Sequence, residues 1–284
     1  MEKTLLSIGH GFSARALAAR LVPQGWRIIG TTRSPDKADA IADTGVEPVV
    51  WPGADLGALI AQSPNVLVSA GPDSAGDPVL NAVEDAVTRA APDLRWVGYL
   101  STTGVYGDHD GDWVDEDTPL TPSTKRGRAR VTAEARWQAI PDLPLHIFRL
   151  AGIYGPGRGP FAKVRAGTAR RIIKPGQVFS RIHVEDIAQA LELSLQRPDP
   201  GAVYNLCDDD PAPPQDVIAH AAELLGLPVP PAIPFDQADM TPMARSFYAE
   251  SKKVRNDRIK QALGWAPQFP TYRAGLAALL AQDS

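Results

Sequence analysis

Thr4-Leu5-Leu6-Ser7-Ile8-Gly9-His10-Gly11-Phe12-Ser13-Ala14 is an apolar run that ends in G-x-G-x-x-A and passes into a helical pattern with Leu17 and Leu21 on one face. In that strand-turn-helix context each small residue has a physical role. The first glycine permits a tight turn, the second lets a pyrophosphate approach the backbone, and Ala14 permits close helix-strand packing with the anion at the helix N-terminus. Ser13 is placed to cap that helix or bond a phosphate. Downstream, β-type runs alternate with helical patterns: WRIIGTT, then Lys37 to Ala42; EPVVW, then Leu56 to Ala61; NVLVSAG, then Val79 to Ala90; LRWVGYLS. This alternation predicts an α/β fold, a doubly wound parallel sheet of Rossmann type with a small C-terminal cap. The near-continuous apolar character of NVLVSA suits a strand buried on both faces.

A helix over roughly Arg126 to Ile140 precedes the strand-like LHIFRLAG, after which Gly155 to Gly159 breaks the pattern. Arg181 to Leu195 reads as a strand end and an amphipathic helix, AVYNLC as another strand, and the proline-rich texture beyond Cys207 as a cap with rigid connections around a helix near Gln215 to Leu225. The expected division is a Rossmann domain of residues 1–154 and 181–207 and a discontinuous cap of residues 155–180 and 208–284.

The 284 residues, 44% of them hydrophobic, suffice for a full core, and the formal charge of −4 comes with no basic stripe, so nucleic acid is excluded as a partner. No run approaches the ~18 apolar residues of a membrane span, and no leader pattern opens the sequence. One cysteine, Cys207, allows neither an internal disulfide nor a cysteine-based zinc site, and a cytoplasmic location is expected. No metal is expected. The acidic run Asp108, Asp110, Asp112 lacks EF-hand spacing, with Gly111 misplaced and Pro119 where the bidentate glutamate would stand. G-x-S-x-G and P-loop signatures are also missing.

At the end of the second strand Thr31, Thr32, Arg33 and Ser34 stand where an NAD site usually carries an acid for the ribose diol. A cation there holds a 2′-phosphate, so NADP is expected ahead of NAD, with Arg33 as a mere solvated charge the competing reading. The cofactor is accordingly expected against Gly9, His10, Gly11, Phe12, Ser13 and Ala14, against Thr32, Arg33 and Ser34, and against Ala70 and Gly71 after the fourth strand.

Together with the glycine motif, STTGVYG (Ser101 to Gly107), FRLAGIYGPG (Phe148 to Gly157), RIHVEDIA (Arg181 to Ala188) and LGW (Leu263 to Trp265) resemble the extended short-chain dehydrogenase/reductases, the NAD(P)-dependent epimerases and dehydratases. The resemblance implies that Thr102 hydrogen-bonds the reacting oxygen. It also implies a Tyr-x-x-x-Lys pair on a helix, with a glutamate four residues after the lysine. Aligning Glu134 with that glutamate puts Arg126 at the tyrosine position and Arg130 at the lysine position. Arg130 can still hold a ribose or phosphate, but a guanidinium is a poor general acid or base near neutrality. A subset labelled nucleoside-diphosphate-sugar epimerases is similar in this replacement.

Two readings of Tyr106 stand: a substitute acid/base just past a strand end, or a packing residue with a bonded hydroxyl. Tyr154 either lines the substrate cleft or shapes a turn, and Arg126 and Arg181 are assigned to the substrate by resemblance. His183 and Asp186 are read as structural. The function expected is an NAD(P)-dependent oxidoreductase or epimerase acting on a hydroxyl or carbonyl of a polar, nucleotide-sugar-like small molecule. The alternative is a cofactor-binding sensor without catalysis, and a homodimer is expected by analogy alone.

Overall fold

The computed structural model describes residues 3–282, the side chain of Met243 apart. Thirteen strands and eleven α-helices follow one another among the described residues. They are β1 (Thr4–Ile8), α1 (Phe12–Leu21), β2 (Arg27–Thr32), α2 (Ala38–Ala42), β3 (Glu47–Val50), α3 (Leu56–Ala61), β4 (Asn65–Val68), α4 (Pro78–Ala90), β5 (Trp96–Thr102), β6 (Trp113–Val114), α5 (Lys125–Gln138), β7 (Leu145–Leu150) and β8 (Gly152–Tyr154), then α6 (Phe161–Arg165), β9 (Arg171–Ile173), β10 (Arg181–His183), α7 (Val184–Gln196), β11 (Val203–Leu206), α8 (Pro214–Leu224), β12 (Ala232–Pro234), α9 (Pro242–Phe247), β13 (Lys253–Val254), α10 (Asp257–Leu263) and α11 (Tyr272–Gln282).

Seven strands form one parallel sheet in the order β11-β7-β5-β4-β1-β2-β3. The order reverses beside β1, so the turn after β1 and the end of β4 border one crevice at the carboxyl ends of the strands. The sheet is covered on both faces, as its apolar strands require: every residue of β1 and β4 is buried. One face packs on α1, α7 and α10 through Leu17, Leu21, Ile187, Leu191, Ile259 and Trp265. The other packs on α3, α4 and α5 through Leu56, Ile60, Val79, Val87, Ala133 and Trp137.

The cap has its own small core, in which Tyr154, Phe161, Val164, Val217, Ala221, Tyr272 and Leu276 meet. Its strands β9 and β12 pair over a long separation, and β6 and β13 do the same beside the sheet's core. One expected boundary is corrected here. Val254, Ile259, Leu263 and Trp265 belong to the sheet's core, so β13 and α10 pack on the Rossmann layer, although they follow residue 208. The cause is apolar burial: the Trp265 indole, 1% exposed, donates to the carbonyl of Asp186 on α7 (3.2 Å).

Candidate active site

A cavity of about 890 Å³ lies across the carboxyl ends of the strands, between sheet and cap. Its sheet side begins at the β1-α1 turn. Gly9 has φ +80° and donates its N–H to Thr31 Oγ1 (2.8 Å). Gly11 is the N-cap of α1, and a Cβ built on it meets only the Gly9 carbonyl oxygen, at 3.7 Å. Space for an anion is therefore open over the helix N-terminus, and α1 carries no acid in its first turn to oppose it. Gly9, Gly11, Phe12 and Ser13 all line the cavity. Ala14, 2% exposed, packs in the core and does not line the cavity.

Other expected cofactor residues fall differently. The side chain of His10 turns away from the cavity into the protein, where Nδ1 meets Ser7 Oγ (3.0 Å) and the ring covers Gly30. Burial, helped by Arg15, pushes its imidazole down to about 4, so it stays neutral. Its side chain is thus removed from the expected set. Ala70 backs the Gly9 turn, whereas Gly71 lines the cavity beneath the Arg130 guanidinium. Thr32 Oγ1 accepts the Ser34 N–H (3.2 Å) in a tight turn at the end of β2, which leaves Arg33 exposed and without a side-chain partner among the described residues. None of Thr32, Arg33 and Ser34 lines the main cavity.

Thr102 ends β5, lines the cavity, and accepts the Gly104 N–H on Oγ1 (3.2 Å). Arg130 Nη1 donates to the Leu100 carbonyl (2.5 Å) and the Tyr99 hydroxyl (3.2 Å), which fixes the guanidinium over the end of β5. Arg126, one helical turn earlier, is an exposed part of the cavity wall.

Tyr106 is a correction. It is 0% exposed, does not line the cavity, donates its hydroxyl to Asn205 Oδ1 (2.7 Å) and accepts from Arg149 Nη1 (3.0 Å). Burial pushes its phenol up to about 12 against the pull of Arg149. A phenol so enclosed cannot exchange protons with a ligand in the cleft, and Tyr106 is structural. Tyr154 does line the cavity, but its hydroxyl is buried against Gly275 of α11 with no hydrogen-bond partner among the described residues. Arg181 reaches the cavity from β10, its Nη1 on the carbonyls of Phe179 and Ala212 (both 2.9 Å). His183 caps α7 by accepting the Glu185 N–H (3.2 Å), and Asp186 accepts the N–H groups of Gln268 (2.6 Å) and Phe269 (3.2 Å), so both hold the cap segment in place.

Sequence reasoning missed the cap side of the cleft, where Phe179, Phe247, Glu250, Lys252 and Tyr272 join the wall. Lys252 Nζ donates to the Gly107 carbonyl (2.6 Å) and pairs with Glu250 Oε2 (2.8 Å), and Glu250 Oε1 accepts from Ser123 Oγ (2.6 Å). Arg158, whose guanidinium stacks on Phe12 at 5.6 Å, had a visible signal in its position within PGRG.

Behind Arg181 lies Asp208, 1% exposed. Burial pushes its carboxyl from 3.8 up to about 8, despite the opposing pull of Arg181. Between those two values the folded chain keeps a proton that the unfolded chain releases, so this group makes stability fall as pH rises through that window. Asp208→Asn is expected to abolish that slope and raise stability on the order of a few kcal/mol near pH 8. Urea midpoints at pH 5 and pH 8 measure it; parallel profiles for variant and parent would refute the assignment.

The fold and the cleft together define a protein of the extended short-chain dehydrogenase/reductase architecture, a Rossmann sheet closed by a smaller cap. The chain belongs to the NAD dependent epimerase/dehydratase family, whose model matches residues 8–207. It is 33% identical to Protein YeeZ of Escherichia coli (strain K12) over 94% of this chain and 97% of that protein. A functionally unknown conserved protein from Silicibacter pomeroyi DSS superposes with a TM-score of 0.94 at 64% identity, over 99% of both chains. A dTDP-glucose 4,6-dehydratase from Bacillus anthracis, solved in complex with NAD, superposes with a TM-score of 0.79 at 19% identity over 98% of this chain and 95% of that one, a likeness of fold alone.

Among the described residues no helix is long and apolar enough to cross a membrane, and no group of three His, Cys, Asp or Glu side chains is arranged to hold a metal ion.

Proposed function

We propose that this chain binds NADP in preference to NAD and acts as an oxidoreductase or epimerase on a hydroxyl or carbonyl group held between sheet and cap. The observation that carries the reading is the continuity of the cleft, from the open space over Gly11 past Thr102 and Arg130 to the cap. A nicotinamide dinucleotide bound there supplies two-electron redox chemistry. Gly9, Gly11 and Ser13 are assigned to its pyrophosphate and Arg130 to its ribose or phosphate. Thr102 orients the substrate oxygen by a hydrogen bond. With Tyr106 enclosed and the Tyr154 hydroxyl lodged at Gly275, Lys252 and water remain to carry the proton on the cap side.

The NADP preference rests on Arg33, an unpaired cation at the end of β2 where an acid would serve a ribose diol. It is tested by following nicotinamide fluorescence while the protein is titrated with NADPH and NADH. The wild type is expected to prefer NADPH by about tenfold or more, and Arg33→Ala to remove most of that difference, in line with one charge-assisted contact. Equal affinities in the wild type would overturn the NADP assignment, and failure to bind either dinucleotide would overturn the cofactor reading itself.

The loss of an accessible tyrosine also favours a second reading, a sensor that exchanges cofactor without turning over. Bound cofactor that never changes redox state with a broad panel of alcohols, aldehydes and nucleotide sugars would decide for it.

A further inference from the structure

The two halves of the cleft differ in chemistry. The sheet half mixes glycines and hydroxyl residues with Phe12, Leu100, Leu150 and Ile153 and the guanidinium groups of Arg126 and Arg130. The cap half is built from Val178, Phe179, Val217, Phe247, Tyr272 and Leu276. Phe247 is 55% exposed at the cleft's edge, a large apolar side chain left largely uncovered among the described residues.

A sugar ring needs several donors and acceptors for its hydroxyls, and each one buried without a partner costs free energy. Among the described residues that line the cleft there is no Asp, Asn, Gln or His. The one carboxylate, Glu250, already serves Lys252 and Ser123. The cap-side hydroxyls are those of Ser180, Ser246 and Tyr272, and Ser180 Oγ already accepts the Val254 N–H (3.0 Å). A pyranose would find few side-chain acceptors there, whereas a flat apolar group would cover Phe247 and Phe179.

Charge supplies the second constraint. Arg126, Arg130, Arg158, Arg181 and Lys252 line the cleft against Glu250 alone, in a chain whose formal charge is −4. Four of these cations are already engaged: Lys252 by Glu250, Arg130 by Leu100 and Tyr99, Arg181 by backbone carbonyls, and Arg158 on Phe12 at the cofactor end. Arg126 is not, having no hydrogen bond or ion pair among the described residues. It sits in the first turn of α5, which holds Lys125, Arg126 and Arg128 and no acid, an arrangement the helix dipole disfavours. Gly127 brings that turn against the loop after Thr102, because a Cβ there would lie 2.6 Å from the Gly104 carbonyl oxygen. The free guanidinium and the helix N-terminus therefore border the Thr102 end of the cleft.

We propose that the substrate is a planar apolar anion, an aromatic or conjugated carboxylate, its carboxylate on Arg126 and its flat body against Phe247 and Phe179. This rests on the cofactor reading above only in placing the reacting group near Thr102. The carboxylate and the apolar surface are recognised by the chain itself.

The test is calorimetric titration with trans-cinnamate, cinnamyl alcohol and UDP-glucose. It is done on the protein saturated with whichever dinucleotide it binds, or on free protein if it binds neither, so failure of the cofactor reading and failure of this proposal are seen separately. Cinnamate is expected to bind about tenfold or more tightly than the alcohol or UDP-glucose. Arg126→Met should erase the preference for acid over alcohol, and Phe247→Ala should weaken both aromatic ligands about tenfold. Both replaced residues are exposed, so the fold should survive, and circular dichroism checks it. Tighter or equal binding of UDP-glucose, no cinnamate binding at millimolar concentration, or wild-type affinity in both variants would each overturn the proposal.

Discussion

Glu134→Ala is expected to destabilise the protein by about 3–5 kcal/mol, the range for stripping one partner from a buried ion pair. Glu134 and Arg149 side chains are 2% and 6% exposed, and Arg149 grips the carboxylate through Nη2 (2.8 Å) and Nε (3.3 Å to each oxygen). The carboxylate also accepts from Ser101 Oγ (2.5 Å) at the end of β5. From Arg149 the chain of bonds runs to the Tyr106 hydroxyl and Asn205, whose backbone N–H donates to Glu116 (2.8 Å). Removing Glu134 leaves a guanidinium without countercharge in the sheet and Ser101 without its acceptor. Arg149 does not line the cleft, so its guanidinium has no open water-filled space beside it to compensate. The control is Glu84→Ala, which breaks a bridge to Arg136 whose side chains are 46% and 31% exposed, and should cost no more than about 1 kcal/mol. Glu134→Met with Arg149→Met should recover much of the loss, because the desolvated charges leave together. Denaturant midpoints of these variants measure both effects. A Glu134→Ala variant no weaker than Glu84→Ala would show that the network is not holding the sheet.

This network also explains where the sequence was readable and where it was not. Local pattern sufficed for the sheet. NVLV is apolar at every position because β4 is covered on both faces, and Gly9, Gly11 and Ala14 declare a turn whose geometry is decided within a few residues. Glu134 could be aligned because the helix that carries it has a one-turn period. Tyr106 could not be placed by the same means. Its position just past β5 suggested the cleft, but the turn Thr103–Val105 swings the side chain under the sheet, to partners on β7 and β11. Those partners lie 43 and 99 residues further along the chain. The cap half of the cleft is non-local in the same sense. Lys252 meets Gly107 and Glu250 meets Ser123 across separations of 145 and 127 residues, and nothing in either neighbourhood announces the contact. The same holds for α10, whose Ile259 and Leu263 fall by position among the cap residues until packing assigns them to the sheet.

Replacement of the two turn glycines should separate binding from folding. At Gly9 an added Cβ would stand 2.8 Å from the Ala70 backbone nitrogen, and the residue holds φ +80°, which L side chains rarely adopt. Ala70 cannot retreat freely, since its N–H donates to the Ile8 carbonyl (3.1 Å) at the end of β1. Gly9→Ala therefore strains the sheet end and should lower both stability and dinucleotide affinity. Gly11 has φ −101°, and its added Cβ would meet only the Gly9 carbonyl oxygen at an ordinary 3.7 Å. The empty protein should accept Gly11→Ala with its denaturation midpoint nearly unchanged. The new methyl group would then occupy the space over the helix N-terminus where the pyrophosphate has to approach the backbone. Dinucleotide affinity is expected to fall about a hundredfold, or ~2.7 kcal/mol, in Gly11→Ala. The readouts are paired: nicotinamide fluorescence for affinity and thermal unfolding without ligand for the fold. Unchanged affinity in a well-folded Gly11→Ala protein would place the dinucleotide elsewhere, and a large loss of unliganded stability would mean that this glycine serves the fold before it serves the ligand.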